Sequence, residues 1–366
     1  MNANRKTLRG GICTETEKLK KYEIGGLWFL AHLALEVICF QFYYKYFGSL
    51  TIAGLMAFVY DIAAFMPQLF IGALCDVKKK FLPGFAGVAM VLAGVLLKLL
   101  APWKIFPFLL VSLGNAFVHV GGAKDTLDTC GSRLAPPAIF VAGGAMGVVT
   151  GKLLGLHDRS LLIGGGIMLL GTVCILLSHL IKKGMKTPAP ARYDLADSRR
   201  SAVTVAALSF FVVAARGLVG YGLPTLWISS EYHTFLLFAG MAAGKALGGI
   251  CSDLFGAKKT ALLSVLVSMP LVYIGQHTMW LSLFAIMLFS MTMSTTLGLL
   301  VSVFPEKPVT AYGISVAGLL CGSLFVFVKP YAPWLFGGTF CAVLMGAVVI
   351  SLWYIMKNDE PWRRRQ

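Results

Sequence analysis

Twelve apolar runs, each close to the length of a bilayer crossing, follow one another along this 366-residue chain with only short polar breaks between them. They fall at about 24–46, 50–74, 82–101, 105–122, 134–156 and 160–181, and again at about 202–228, 233–251, 259–278, 280–303, 309–328 and 334–356. A helix crossing the hydrocarbon core needs roughly 20 such residues. Charged residues make up 13% of the chain, against about 25% in a soluble domain. The missing polar surface is expected to face lipid. The fold class expected is therefore an all-α integral membrane protein with twelve transmembrane helices, leaving no room for a soluble domain of ordinary size.

The breaks alternate in charge. Arg5, Lys6, Arg9, Lys18, Lys20 and Lys21 precede the first run; Lys78 to Lys80, then Lys124 and Arg133, then Lys182, Lys183, Lys186, Arg192, Arg199 and Arg200 follow at every second break. Lys258 and Lys259, Lys307 and Arg363 to Arg365 continue the series. The intervening breaks are poor in Lys and Arg. The positive-inside rule places the basic breaks and both termini in the cytoplasm, as an even helix count requires. A multi-pass protein of the plasma (inner) membrane is expected. The first run is too long for a signal-peptide core and is read as a retained helix. The net charge of +16 sits in these topology-setting clusters, so no nucleic-acid partner is expected.

The eight cysteines are scattered without a C-x-x-C pair, so neither a disulfide framework nor a zinc site is expected. The six histidines do not cluster in sequence, and neither H-E-x-x-H nor G-x-x-x-x-G-K-[ST] occurs. An enzyme, a cofactor and ATP drive are accordingly not expected.

The longest polar break, about 182–200, holds Pro188 and Pro190 and no apolar periodicity. It divides the chain into two six-helix bundles, residues 1–183 and 201–366, joined by a cytoplasmic linker at 184–200. In the fifth run Gly143, Gly147, Gly151 and Gly155 recur every four residues. Such a stripe lets helix backbones approach closely; helix packing is the reading expected, and a sliding surface would use the same geometry without excluding it.

The two halves share a loop. Gly72-Ala-Leu-Cys-Asp76-Val-Lys-Lys-Lys80 follows the second run, and Gly249-Ile-Cys-Ser-Asp253-Leu-Phe-Gly256-Ala-Lys258-Lys259 follows the eighth. An internal repeat at half the chain length is the trace left by parallel transporter halves. Here the chain resembles the major facilitator superfamily, whose G-x-L-x-D-x-x-G-R-K signature lies between its second and third helices, with a weaker copy between the eighth and ninth. The first copy keeps Gly72, Leu74 and Asp76 but has Lys79 in place of the family's glycine; the second keeps Gly249, Asp253, Gly256 and Lys258. The resemblance implies two pseudo-symmetric bundles, a competent monomer, and a gating role for Gly72, Asp76, Lys80, Gly249, Asp253 and Lys258. The segment from Gly114 to Gly122 is also similar to the fourth helix of facilitator-type drug exporters of the fosmidomycin-resistance kind, a hint of organic-anion handling.

A charge at the bilayer centre costs at least ~2.5–3.5 kcal/mol on insertion scales, so such residues face the protein interior. Glu36 and Asp61 lie within the first two runs; Arg216 and Lys245 lie within the seventh and eighth. Acids in one half and bases in the other are expected to meet around a central cavity. His32 precedes Glu36 by four residues, on one helix face. An imidazole beside a buried carboxylate can gain or lose a proton near neutral pH. Glu36, His32 and Asp61 are the proton-coupling candidates. Arg216, Lys245, Asp61 and Asn115 are the substrate-binding candidates, with pairing of Arg216 to Glu36 or Asp61 as the alternative. Asn115 and His119 share a face of the fourth helix and are equally suited to bridging helices. The function expected is proton-coupled secondary transport of a small organic anion by alternating access. Export of cationic or zwitterionic drugs or metabolites is the alternative, and a membrane-embedded enzyme is the alternative of another class.

Overall fold

A computed structural model describes residues 15–223, 225–328 and 332–358. The basic residues through Arg9, Cys13 and the Arg363 to Arg365 cluster lie outside the described residues. The helices are α1 (Glu15–Tyr46), α2 (Ala53–Val77), α3 (Pro83–Leu100), α4 (Ile105–Leu127), α5 (Ala135–Leu156), α6 (Leu161–Lys183), α7 (Ala202–Gly222), α8 (Glu231–Phe255) and α9 (Ala257–Ile274). They continue with α10 (Met279–Ser290), α11 (Thr292–Val303), α12 (Pro308–Ser323) and α13 (Gly338–Ile355). Because α10 and α11 form one span, the described residues supply twelve helices long and apolar enough to cross a membrane. The protein is an all-α integral membrane protein.

Local chemistry sets the helix ends. Ser160, Ser201 and Ser230 each accept a backbone N–H at the start of α6, α7 and α8, satisfying an otherwise orphaned donor. Proline opens α3 and α12, where its missing N–H costs nothing. Several boundaries differ from the hydropathy reading, α1 beginning already at Glu15, and three differences have a local cause. Expected to reach about residue 228, α7 stops at Gly222, because Leu223 precedes a proline and takes an extended conformation (φ −56°, ψ 124°). The fourth run was expected to end near residue 122, but α4 continues to Leu127 because partners at its end compensate Lys124 and Asp125. The tenth span is interrupted at Met291. There the Thr292 hydroxyl donates to Phe289 O at 2.9 Å, and Thr296 donates to Thr292 O at 3.1 Å. Such back-bonding bends a helix.

The glycine stripe of α5 packs against α1. A β-carbon at Gly143 would lie 2.1 Å from Phe29 O, and one at Gly147 would lie 2.3 Å from Leu33 O. The stripe is thus a backbone-to-backbone contact inside the first half. The loop glycine Gly256, with φ 102°, is the single residue between α8 and α9, a conformation costly for any side chain. Its counterpart loop between α2 and α3 is longer and needs no positive φ, which explains how Lys79 replaces a glycine there.

Between α6 and α7 the chain is irregular but held. Ala191 N donates to Leu127 O and Arg192 N to Gly131 O, both in the first half. Leu195 N donates to Ser302 Oγ, and Asp197 N to Ile355 O, in the second. Tyr193 is buried between these grips, its hydroxyl 3.1 Å from Cys130 Sγ and donating to Arg133 O at 3.1 Å.

Candidate functional site

Polar residues of the interior gather at two levels: a seam at the basic end and a cluster deeper within the helices. At the seam, each loop aspartate caps a helix of the opposite half. Asp76 accepts from Val309 N (3.3 Å), Thr310 N (2.7 Å) and Thr310 Oγ1 (2.6 Å) at the start of α12. Asp253 accepts from Leu134 N (2.9 Å) and Ala135 N (3.1 Å) at the start of α5. A carboxylate on a helix N-terminus satisfies orphan N–H groups and complements the helix dipole. The preceding glycines let these ends meet: a β-carbon at Gly72 would fall 2.6 Å from Val309 O, and one at Gly249 would fall 2.4 Å from Ala138 Cβ. The halves are therefore pressed together at this end. Of the lysines expected here, Lys80 is exposed in its loop, and Lys258 donates to Met356 O and Asn358 Oδ1 at the end of α13.

Beside the seam, Lys182 on α6 bridges Asp125 (2.8 Å) and Asp128 (2.6 Å), and Lys124 reaches Asp128 at 2.8 Å. Trp28 Nε1 donates to the other Asp125 oxygen. Burial raises the Asp128 carboxyl, but Lys182 and Lys124 more than reverse this and hold it below the usual carboxylate range.

Deeper in, Glu36 is buried at the centre of a cluster built from α1, α2 and α4. Asn115 Nδ2 donates to Glu36 Oε1 at 3.0 Å, and Tyr60 OH donates to Oε2 at 3.3 Å. Asn115 Nδ2 also lies 3.0 Å from the Tyr60 hydroxyl, tying the donors together. His32 Nε2 and His119 Nε2 stand 3.6 and 3.4 Å from Oε1. The two rings meet edge to face, with centroids 4.2 Å apart. Asp61, one residue after Tyr60, makes no hydrogen bond or ion pair among the described residues and is only partly buried.

Across the interior the second half presents its bases. Arg216 is 8% exposed. Its Nη1 has one long hydrogen bond, 3.4 Å to Thr296 Oγ1, and no carboxylate among the described residues comes within ion-pair reach. Arg216 thus pairs with neither Glu36 nor Asp61. It borders a narrow cleft of about 20 Å3, lined also by Val141, Ser294, Tyr312 and Ser315. Lys245 on α8 stands within electrostatic reach of both Arg216 and Glu36. Neither Lys245, Asp61 nor Asn115 lines the cleft in this state.

The cluster contains more than the sequence reading assigned to it. His119 was read with Asn115 as a helix-bridging pair; both contact Glu36, and the signal was their shared i, i+4 face. Tyr60 had no signal beyond its place next to Asp61. Thr310 had only its position just inside a helix opened by Pro308.

No family model matches the sequence, and no curated protein matches it. Solved structures do. FucP in an outward conformation is similar with a TM-score of 0.64 and 13% identity, covering 92% of this chain and 98% of the other. A variant of the E. coli fucose:proton symporter FucP is similar with a TM-score of 0.64 and 14% identity, over 93% and 98%. The human organic anion transporter MFSD10 (TETRAN) is similar with a TM-score of 0.61 and 14% identity, over 91% and 99%. With near-complete coverage of both chains and twelve spans in two halves, this chain has the fold of the major facilitator superfamily transporters.

Proposed function

We propose that the protein is a secondary active transporter that moves a small organic anion across the plasma (inner) membrane, as a monomer with both termini in the cytoplasm. The observation that carries this reading is Arg216. It is a buried guanidinium with no counter-ion among the described residues, at the wall of a cleft between the halves. An uncompensated buried charge is costly, and a carboxylate or phosphate of the substrate would complete it through the planar guanidinium fork. Lys245 adds positive field on the same side. Proton coupling is assigned to Glu36 and His32, with Asp61 next to them. The carboxylate faces two imidazoles, so a proton has neighbouring sites to occupy. Lys245 is within electrostatic reach of both Arg216 and Glu36 and couples their occupancy. Asn115 serves the substrate through Glu36, which it orients. Asp76 and Asp253, with Gly72 and Gly249, hold the basic end closed, and the adjoining Lys80 and Lys258 complete the gate loops. The substrates named for FucP and MFSD10, fucose with a proton and organic anions, belong to those proteins and make both arms of the reading natural for this fold.

The test is uptake of radiolabelled organic anions into proteoliposomes, with and without an imposed pH gradient. Uptake driven by the gradient in the wild type, lost in Arg216→Ala and uncoupled from the gradient in Glu36→Gln, is the expected result. Uptake of cations that survives Arg216→Ala would move the substrate to the unpaired Asp61, the feature that favours the cationic or zwitterionic reading. Conversion of a substrate without its translocation would support the membrane-embedded enzyme instead.

A further inference from the structure

The hydrogen bonds around Glu36 fix more than its orientation. His32 Nδ1 lies 3.1 Å from Phe140 O, and His119 Nδ1 lies 3.1 Å from Asn115 O. A carbonyl oxygen only accepts, so each Nδ1 carries the hydrogen and each neutral ring presents the Nε2 lone pair. Both Nε2 atoms then point at the same carboxylate oxygen, 3.6 and 3.4 Å away. Three electron-rich atoms converging inside a protein repel one another unless an electrophile sits among them.

The spacing fits a particular one. Zinc bonds its nitrogen and oxygen ligands at about 2.0–2.2 Å in a tetrahedron, which sets ligand atoms roughly 3.3 to 3.6 Å apart. The two histidine-to-carboxylate distances, 3.6 and 3.4 Å, match that edge; the three ligand atoms together lie within 4.8 Å of one another, so the imidazoles draw slightly closer when an ion enters. Imidazoles that bind metal donate their other N–H to a carbonyl or carboxylate, which fixes the tautomer, and both rings already do so. Asn115 and Tyr60 supply the corresponding hydrogen bonds to the carboxylate.

We infer that His32, Glu36 and His119 form a binding site for a divalent transition cation of the zinc type, with a fourth position left for water or a substrate group. Two imidazoles and one carboxylate select Zn2+, Co2+ or Ni2+ over Mg2+ and Ca2+, which prefer all-oxygen shells. The three ligands come from α1 and α4, so the site lies wholly within the first half and keeps its geometry whichever way the halves rock. Its one opponent is Lys245, the cation facing the cluster from α8. The sequence concealed the site because His119 lies 87 positions after His32, and only the packing of α1 on α4 joins them. The cation and a coupling proton would compete for Glu36 and the two Nε2 atoms, so the site holds one or the other; binding to the purified chain reports the cation without reference to transport.

The test uses the purified full chain in detergent, titrated with ZnCl2 and separately with CoCl2. One equivalent of Zn2+ is expected to bind and to raise the unfolding temperature, with no effect of Mg2+. Co2+ is expected to give the visible absorption of a four-coordinate nitrogen–oxygen site. His119→Ala and Glu36→Gln each weaken binding by at least about a hundredfold, as loss of a direct ligand should exceed the ~10–100-fold cost of losing its supporting contacts. Lys245→Met leaves all three ligands in place and tightens binding. That variant serves as the second reading should either ligand variant fail to fold. Absence of Zn2+ binding to the wild type would overturn the inference. So would binding unchanged in both His119→Ala and Glu36→Gln, which places the ion elsewhere, or binding unmoved by Lys245→Met.

Discussion

The two halves carry their buried charge in opposite ways. In the first half Glu36 is enclosed by Asn115, Tyr60, His32 and His119. In the second, Arg216 has one long bond to a threonine hydroxyl. A satisfied network rigidifies and specifies its surroundings, whereas a buried charge without a partner is a standing cost. The difference teaches that the first half is built to keep its cluster and the second to receive something.

The sharpest way to break this comparison is to remove the central group of each half. Glu36→Ala strands two donors and two imidazoles around a cavity, and each stranded buried group costs about 1–3 kcal/mol. Thermal unfolding in detergent should show a large loss. Arg216→Met should instead leave stability unchanged or raise it, while abolishing anion binding, because an apolar chain of similar length removes an uncompensated charge. Equal losses in the two variants would erase the distinction between the halves.

The seam gives the next largest effect. Asp76 accepts from two backbone N–H groups and a threonine hydroxyl, and Asp253 accepts from two backbone N–H groups; hydrogen bonds to charged groups are worth about 1.5–3 kcal/mol each. Asp76→Asn and Asp253→Asn should each open the basic end. Cys75, buried beside Asp76, is the natural reporter: its alkylation rate should rise in both variants. Thr310→Val removes only the hydroxyl bond to Asp76, so it should produce a smaller rise, of the order of 1 kcal/mol.

How far this was legible in sequence follows from the range of each interaction. The twelve spans, the duplicated loop and the four buried charges announce themselves locally, through length, spacing and the cost of a charge in lipid. The partners of Asp76 do not, because Thr310 is 234 residues away and helix N-termini bind through backbone groups that no residue type signals. Tyr60 and His119 were hidden for a related reason: a tyrosine or histidine in an apolar run looks the same whether it packs or holds a carboxylate. The unpaired state of Arg216 is also invisible in sequence, where opposite charges on facing helices suggest pairing by default.

The smallest expected effect lies in the Asp128 network. Its carboxyl is held below the usual range in the folded protein, so its contribution is present above the unfolded value of about 3.9 and is lost as pH falls through the folded value. Asp128→Asn should therefore lower the unfolding temperature at neutral pH, and the gap to the wild type should close on acidification below about pH 4. A gap independent of pH would mean that the lysines do not sense this carboxylate.

The segment between α6 and α7 sets a length scale for motion. It is fastened to the first half at Arg192, through Gly131 O, and to the second at Leu195, through Ser302 Oγ. Three residue steps separate those fastenings, and extended chain spans at most about 3.3–3.6 Å per residue. The strap is thus a short leash of roughly 10 Å. While both knots hold, it caps how far the basic ends of the two halves can part, and a wider opening requires one of them to slip.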